Sequence, residues 1–192
     1  MRLEIPGPAS VASLRVTLFL FCVLLLAGCV ANQSEPDWTM GPFLKVNEAN
    51  PVLTPLENSV FVCPVRGSEV RWESKDVFNP AAVVKDDKIY LLYRAEDTVG
   101  RHAGTSRIGL AESTDGINFS RRPEPVLFPH EDAYIDYEWE GGCEDPRVVE
   151  DDQGTYYMTY TAYDGDVARL LIASSNDLIH WKKLGAVFRN AH

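Results

Sequence analysis

Seven consecutive residues concentrate the chemistry of this chain: Gly141-Gly142-Cys143-Glu144-Asp145-Pro146-Arg147. Their types allow acid–base work by a carboxyl and oxygen binding by a cation. Proline at 146 disfavours the helical region for the residue before it, so the Asp145 carboxylate is expected on extended backbone. The glycine pair lets the main chain approach a ligand closely. Arg147 supplies a fixed positive fork that can bind oxygen atoms or tune a carboxylate. The plainer alternative for such a stretch is a surface turn with a solvated acid cluster.

The elements that must position these residues are legible as an internal repeat. Pro80–Tyr93 aligns with Pro146–Tyr160, Ser106–Ser113 with Ala168–Ser175, and Asp115–Phe119 with Asp177–Trp181, at an offset running from 66 down to 62 residues. Each unit consists of short β-branched and aromatic runs broken by Asp-Asp, Asp-Gly or Asn-Asp turns, which predicts about four antiparallel strands per unit. Four-stranded units repeating at this period are the signature of β-propeller blades. Separate small β-domains are the alternative, but a lone four-stranded sheet has little core of its own. The expected fold class is therefore all-β, a partial propeller over residues 46–192 with blade units at about 77–129 and 143–189.

Comparing the units separates scaffold from site. Tyr90, Tyr93, Tyr157 and Tyr160 recur, as do Ala111/Ala173 and Phe119/Trp181, and are expected to pack the interior. Asn79 and Asp145 are equivalent, each a short polar residue before proline in a blade's first strand, so both should face one funnel. Arg94 stands where the second unit has Thr161, and Arg147 where the first has Ala81. A cation replacing a small neutral residue hints at function; a surface salt bridge is the common alternative. Asn50–Pro55 looks like Glu124–Pro129 and is expected to be an outer strand of another blade. Two units, a leader and one strand use all 192 positions, short of the four blades that a small propeller needs, so a fragment or truncated frame is expected.

At the N-terminus, Arg2 and Arg15 precede a 12-residue apolar run from Val16 to Ala27. A helix needs roughly 20 residues to cross a bilayer, so the run suits a secretory signal instead. It ends in Leu26-Ala27-Gly28-Cys29, similar to a bacterial lipobox. Residues 1–28 are thus read as a lipoprotein signal peptide, Cys29 as the lipidated residue and 29–45 as a tether, which implies an exported, membrane-anchored protein in the periplasm or at the cell surface. Without the leader, Lys+Arg is 16 and Asp+Glu 27, a formal charge of −11. So acidic a chain is a poor partner for a nucleic-acid backbone. Cys63 and Cys143 remain, enough for one disulfide outside the cytoplasm, and no spacing suggests a metal site.

Val77–Ala82, Tyr93–Asp97, Ser106–Ala111, the Gly141–Arg147 stretch, Tyr157–Thr161 and Asp177–Trp181 together make the chain resemble glycoside hydrolase family 130 across about residues 50–190. That resemblance implies a five-bladed propeller acting on β-linked mannosides, by phosphorolysis or hydrolysis, with inversion at the anomeric carbon. It assigns Asp145 as the catalytic acid, which in the phosphorylases protonates the glycosidic oxygen through a hydroxyl of the bound mannose. It places Asn79, Arg94, Arg107 and Arg147 around the sugar just upstream of the cleaved bond, with Glu144 bordering the site and Asp97 counted among the substrate-binding residues. The residue types fit. Apolar walls and a neighbouring acid such as Glu144 help an acid keep its proton near neutral pH, whereas an arginine works against it. Asparagine and arginine suit dense recognition of hydroxyl groups.

Inversion needs a second participant on the opposite face of the sugar: a base carboxylate about 6.5–9.5 Å from the acid in a hydrolase, or inorganic phosphate in a phosphorylase. No resident cofactor is implied, only phosphate as co-substrate in the second case. An exported lipoprotein has less reason to make a charged sugar, so the first expectation is an exo-acting β-mannosidase and the second a β-mannoside phosphorylase. A lipid-anchored glycan-binding protein without catalysis is a third.

Overall fold

Asp86 and Asp87 both adopt positive φ, 49° and 58°, and join two strands paired at Lys85 and Lys88. This is the two-residue hairpin turn whose twist matches that of the strands it connects. Turns of this economy fold the chain into successive meanders. The computed structural model describes residues 41–188; the expected signal peptide, Cys29 and most of the tether lie outside them. The chain divides into two units, Met1–Leu44 and Lys45–His192, and all elements among the described residues belong to the second.

A hairpin of β1 (Phe61–Cys63) and β2 (Ser68–Val70) comes first. An antiparallel meander follows, made of β3 (Asp76–Lys85), β4 (Lys88–Glu96), β5 (Ser106–Ser113) and the short β6 (Ser120–Arg121). A one-turn helix, α1 (Ile135–Glu138), leads to the second meander, β7 (Gly142–Glu150), β8 (Tyr156–Tyr163), β9 (Ala168–Ser175) and β10 (Lys182–Ala186). The two four-stranded sheets meet at one parallel bridge, Ser106 opposite Gly142. They are two adjacent blades of a β-propeller, as the repeat predicts.

Burial follows from what covers each face. Nearly every residue of β5 is buried, because the second blade packs on one side and the β1–β2 segment on the other. Leu92, Ile108 and Leu110 join Tyr156, Met158, Tyr160 and Leu171 in a core between the blades, while Phe61, Trp72, Tyr93 and Ala111 form a second core beneath the hairpin. In β8 buried and half-buried residues alternate, the mark of a strand with one covered face. Tyr93 and Tyr160 are interior as expected; Tyr90 is half-buried against the interblade core, and Tyr157 is half-buried outside it.

Three devices occur once per blade. A buried glutamate just ahead of the first strand accepts the tyrosine hydroxyl of the second strand and a cation of the fourth. In the first blade Glu73 takes Tyr93 at 3.1 Å and Arg121 at 2.7 Å; in the second Glu138 takes Tyr160 at 2.7 Å and Lys183 at 2.5 Å. An aspartate–arginine pair closes the loop between second and third strands, Asp97–Arg107 at 2.8 Å and Asp164–Arg169 at 2.6 Å. A serine–aspartate turn follows the third strand, Ser113–Asp115 and Ser175–Asp177. The Asn118 backbone and side chain at Asp115, and the His180 side chain and turn N–H groups at Asp177, outweigh burial and hold both carboxyls well below the usual range.

Two expectations are corrected. Residues 50–55 form no strand: Pro51 and Pro55 lack the N–H that a ladder needs, and Leu53 instead packs against the core under β1–β2. Cys63 and Cys143 are buried free thiols, not a disulfide.

The Glu138 triad gives a stability prediction. Lys183→Met leaves a buried carboxylate without its cation, and should lower unfolding free energy by about 3–5 kcal/mol in urea denaturation. A variant as stable as the parent would show that the pair contributes little.

Candidate active site

The first strands of both blades carry the same irregularity. The ladder slips between Phe78 and Ala81 in β3 and between Glu144 and Arg147 in β7. At each bulge the residue before proline turns left-handed, Asn79 at φ 47° and Asp145 at φ 49°. This corrects the extended backbone expected for Asp145. Asparagine and aspartate tolerate this region better than other residues with a Cβ, at a strain of order 1–3 kcal/mol each. Proline closes the right-handed helical region to both, and the bulge chooses the left-handed one.

The two bulges face each other across the blade joint. Asn79 Nδ2 donates to Asp145 Oδ1 at 2.8 Å, and Arg94 Nη1 approaches the same oxygen at 3.3 Å. Among the described residues no donor reaches Oδ2. An oxygen that accepts two N–H bonds has no place for a proton, so the protonated form of Asp145 carries it on Oδ2. The side chain is about a third exposed, at 36%. One oxygen is thus held by protein and the other left for a ligand.

Arg94 is fixed from every side. Its Nε donates to Ser106 Oγ at 3.1 Å, its Nη2 meets Glu144 Oε1 at 2.9 Å and also Glu96, and the Phe78 ring stacks on its guanidinium at 4.6 Å. Glu96 is also paired with Lys75 at 2.8 Å. Burial alone would raise the Glu96 carboxyl, but the bonds from Lys75 and Arg94 outweigh it and hold the group below its usual range. For Glu144 burial wins: its carboxyl is pushed up despite Arg94 and the Ser106 hydroxyl, with Asp145 and Glu96 adding repulsion. Of the two glutamates on Arg94, only Glu144 is thus pushed toward its protonated form.

The structure thus brings Asn79, Arg94, Glu144 and Asp145 together. It does not bring Asp97, Arg107 or Arg147 to them. Asp97 and Arg107 have essentially no exposed side-chain surface and grip each other; Asp97 also accepts from the N–H groups of Val99 and Thr105. They form the loop clamp whose second copy is Asp164–Arg169, so the comparison of units that marked scaffold applies to them too. Arg147 lies exposed on β7 opposite Thr159 and donates to the Pro146 carbonyl at 2.7 Å, tuning no carboxylate.

Glu96 and Ser106 are the site residues that sequence reasoning missed. Two signals could have found them. Side chains alternate along a strand, so Glu96 shares the face of Arg94 and Asp97 does not. Both also break the repeat, Glu96 against Tyr163 and Ser106 against Ala168, as Arg94 does against Thr161.

Two propeller blades thus converge on one held and partly exposed carboxyl. A family model described as beta-1,4-mannooligosaccharide phosphorylase matches residues 47–192, and the chain belongs to that family, glycoside hydrolase family 130, whose fold is a five-bladed β-propeller. The chain is similar to a 1,2-beta-oligomannan phosphorylase of Thermoanaerobacter sp. (strain X514), 40% identical over 127 residues, covering 62% of this chain and 40% of the relative. A beta-1,2-mannobiose phosphorylase of the same organism is 37% identical over 145 residues, covering 68% and 44%. Among solved structures, one described with the family's glycoside hydrolases that target beta-1,2 mannosidic linkages in Candida mannan shares 48% identity at TM-score 0.77, covering 83% of this chain and 45% of that one. A glycosyl hydrolase from Bacteroides ovatus shares 46% at TM-score 0.76, covering 81% and 44%. The chain spans less than half the length of each of these proteins.

Glu144 gives a pH prediction. Its pKa is higher folded than unfolded, so the folded state binds the extra proton, and the stability this supplies is lost as pH rises from the ordinary carboxylate value of 4.5 through the folded pKa. Glu144→Gln removes that loss. Urea titrations at stepped pH should show a smaller fall in unfolding free energy toward neutrality than in the parent, and an equal or steeper fall would contradict the assignment.

Proposed function

We propose that these two blades supply the acid half of a site that cleaves β-1,2-linked mannosides with inversion, Asp145 being the general acid and inorganic phosphate the acceptor. The observation that carries this reading is the division of labour on one carboxyl: Oδ1 bound by Asn79 and Arg94, Oδ2 without a donor among the described residues. The substrate class rests on the names of the relatives, and phosphate on both curated relatives being phosphorylases. In this reading Asn79, Arg94 and Glu144 line the sugar on the leaving-bond side, while Asp97 and Arg107 support the loop behind them. Arg147 is free to meet a ligand on its own face of β7. Blades other than these two hold the acceptor. Residues 1–28 export the chain, and Cys29 anchors it in the membrane.

Water as the acceptor is the second reading. A specific observation favours it: the solved structure described with the family's hydrolases is 48% identical to this chain, above the 40% of the first phosphorylase. Export argues the same way, since mannose 1-phosphate made outside the cell must be imported as a charged sugar.

One experiment separates the two. Full-length protein is incubated with β-1,2-mannobiose, with and without phosphate. Mannose 1-phosphate formed only with phosphate supports the first reading; free mannose in both reactions supports the second; binding without release points to a glycan-binding protein. In either enzymatic case Asp145→Asn should cut kcat by about 10²–10⁴-fold while sparing mannobiose binding by calorimetry. An unchanged rate removes Asp145 from the mechanism.

A further inference from the structure

Ser106 occupies a singular place in the fold. Its backbone makes the one parallel bridge between the two sheets, with its N–H on the Gly141 carbonyl at 2.8 Å. The approach is so close that a Cβ on Gly142 would stand 2.2 Å from the Ser106 carbonyl oxygen. Its side chain, fully buried, lies at the centre of the charged well. The hydroxyl oxygen accepts from Arg94 Nε at 3.1 Å, and its single hydrogen faces Glu96 Oε1 at 3.1 Å and Glu144 Oε1 at 3.3 Å.

We propose that Ser106 is a positioning residue of the acid site, its hydroxyl bridging Glu96 and Glu144 and locking Arg94 so that the guanidinium meets Asp145 through Nη1. This inference rests on the reading of Asp145 as the acid. The geometry divides the arginine among fixed partners. Ser106 takes Nε, the two glutamates take Nη2, and only Nη1 is left for Asp145. Without the hydroxyl, Nε loses its acceptor, and the two carboxyl oxygens keep only Arg94 Nη2 of the two donors they share. Arg94 can then swing on the Phe78 ring, and the hold on Oδ1 weakens. The hydroxyl hydrogen serves one glutamate at a time, so Ser106 also couples their ionisation. The charged groups facing this network are Lys75 ahead of β3, Arg94 and Glu96 on β4, and Glu144 and Asp145 on β7. Alanine at the equivalent place in the second blade, Ala168, shows that the strand itself does not require a hydroxyl.

The test uses Ser106→Ala in the full-length protein, with two readouts. In kinetics on β-1,2-mannobiose, kcat should fall about 10–100-fold with KM little changed and the pH–rate profile displaced, as expected when a reacting group is misplaced. A merely structural role lowers the folded fraction and leaves KM and the profile in place. In NMR of arginine-labelled protein, the Arg94 Nε–H signal, assigned by its loss in Arg94→Lys, should be protected from water exchange in the parent and exposed in Ser106→Ala. Should the alanine variant not fold, Ser106→Cys, nearly the same size and a weaker donor, carries both readouts with smaller shifts. A folded variant with parental kcat, pH profile and Arg94 protection overturns the proposal. If the parent cleaves no mannoside, the reading of the reaction fails, and the Arg94 signal still decides the role of Ser106.

Discussion

Where Ser106 passes Gly142, two sheets that are otherwise separate meanders come within backbone hydrogen-bonding distance. The contact demands a residue without a side chain on one strand and tolerates the left-handed φ of 114° there. Everything chemical follows from this approach. Asn79 and Arg94 belong to the first blade, Glu144 and Asp145 to the second, and none of their mutual bonds would reach across a joint one side chain wider. The interblade core of Leu92, Ile108, Met158 and Tyr160 holds the wedge at this angle.

The blades are siblings that have parted company at a few positions. What they share is scaffold: the buried glutamate with its tyrosine and cation, the aspartate–arginine loop clamp, the serine–aspartate turn and the pre-proline bulge. A buried carboxylate is tolerated only with partners, and each blade provides the same two. What they do not share is the site. Asn79 became Asp145 at the bulge, and Arg94, Glu96 and Ser106 have Thr161, Tyr163 and Ala168 as counterparts. One blade supplies donors and a charged cage, and the other the acids.

The cage places opposing demands on its carboxyls. A guanidinium close to a carboxyl favours its ionised form, whereas burial favours the neutral one. Arg94 is shared among three carboxyls: with Lys75 it holds Glu96 below its usual range, while burial pushes Glu144 toward its neutral form. The same arginine orients Asp145 without being wholly committed to it. The relatives' names include both phosphorylases and glycoside hydrolases.

Much of this was legible in the residues. The period-two runs and Asp-containing turns gave the strands, the repeat gave the blades, and the matched Asn-Pro and Asp-Pro pairs identified the residues that would face each other. The repeat also held the answer for Asp97 and Arg107, since Asp164 and Arg169 mirror them, and strand alternation pointed to Glu96. Two things were beyond the sequence. Proline excluded one backbone region for Asp145 without choosing between the others, and only the slipped ladder of the bulge made it left-handed. Ser106 differs from its counterpart Ala168, but the role of its hydroxyl shows in no local pattern, because its partners come from β4 and β7, on two sheets. Local propensity and periodicity act over a few residues, so the chain alone determined its elements and their repetition; the convergence of Asn79, Arg94, Ser106 and Asp145 depends on how two sheets pack, and the tertiary structure decided it.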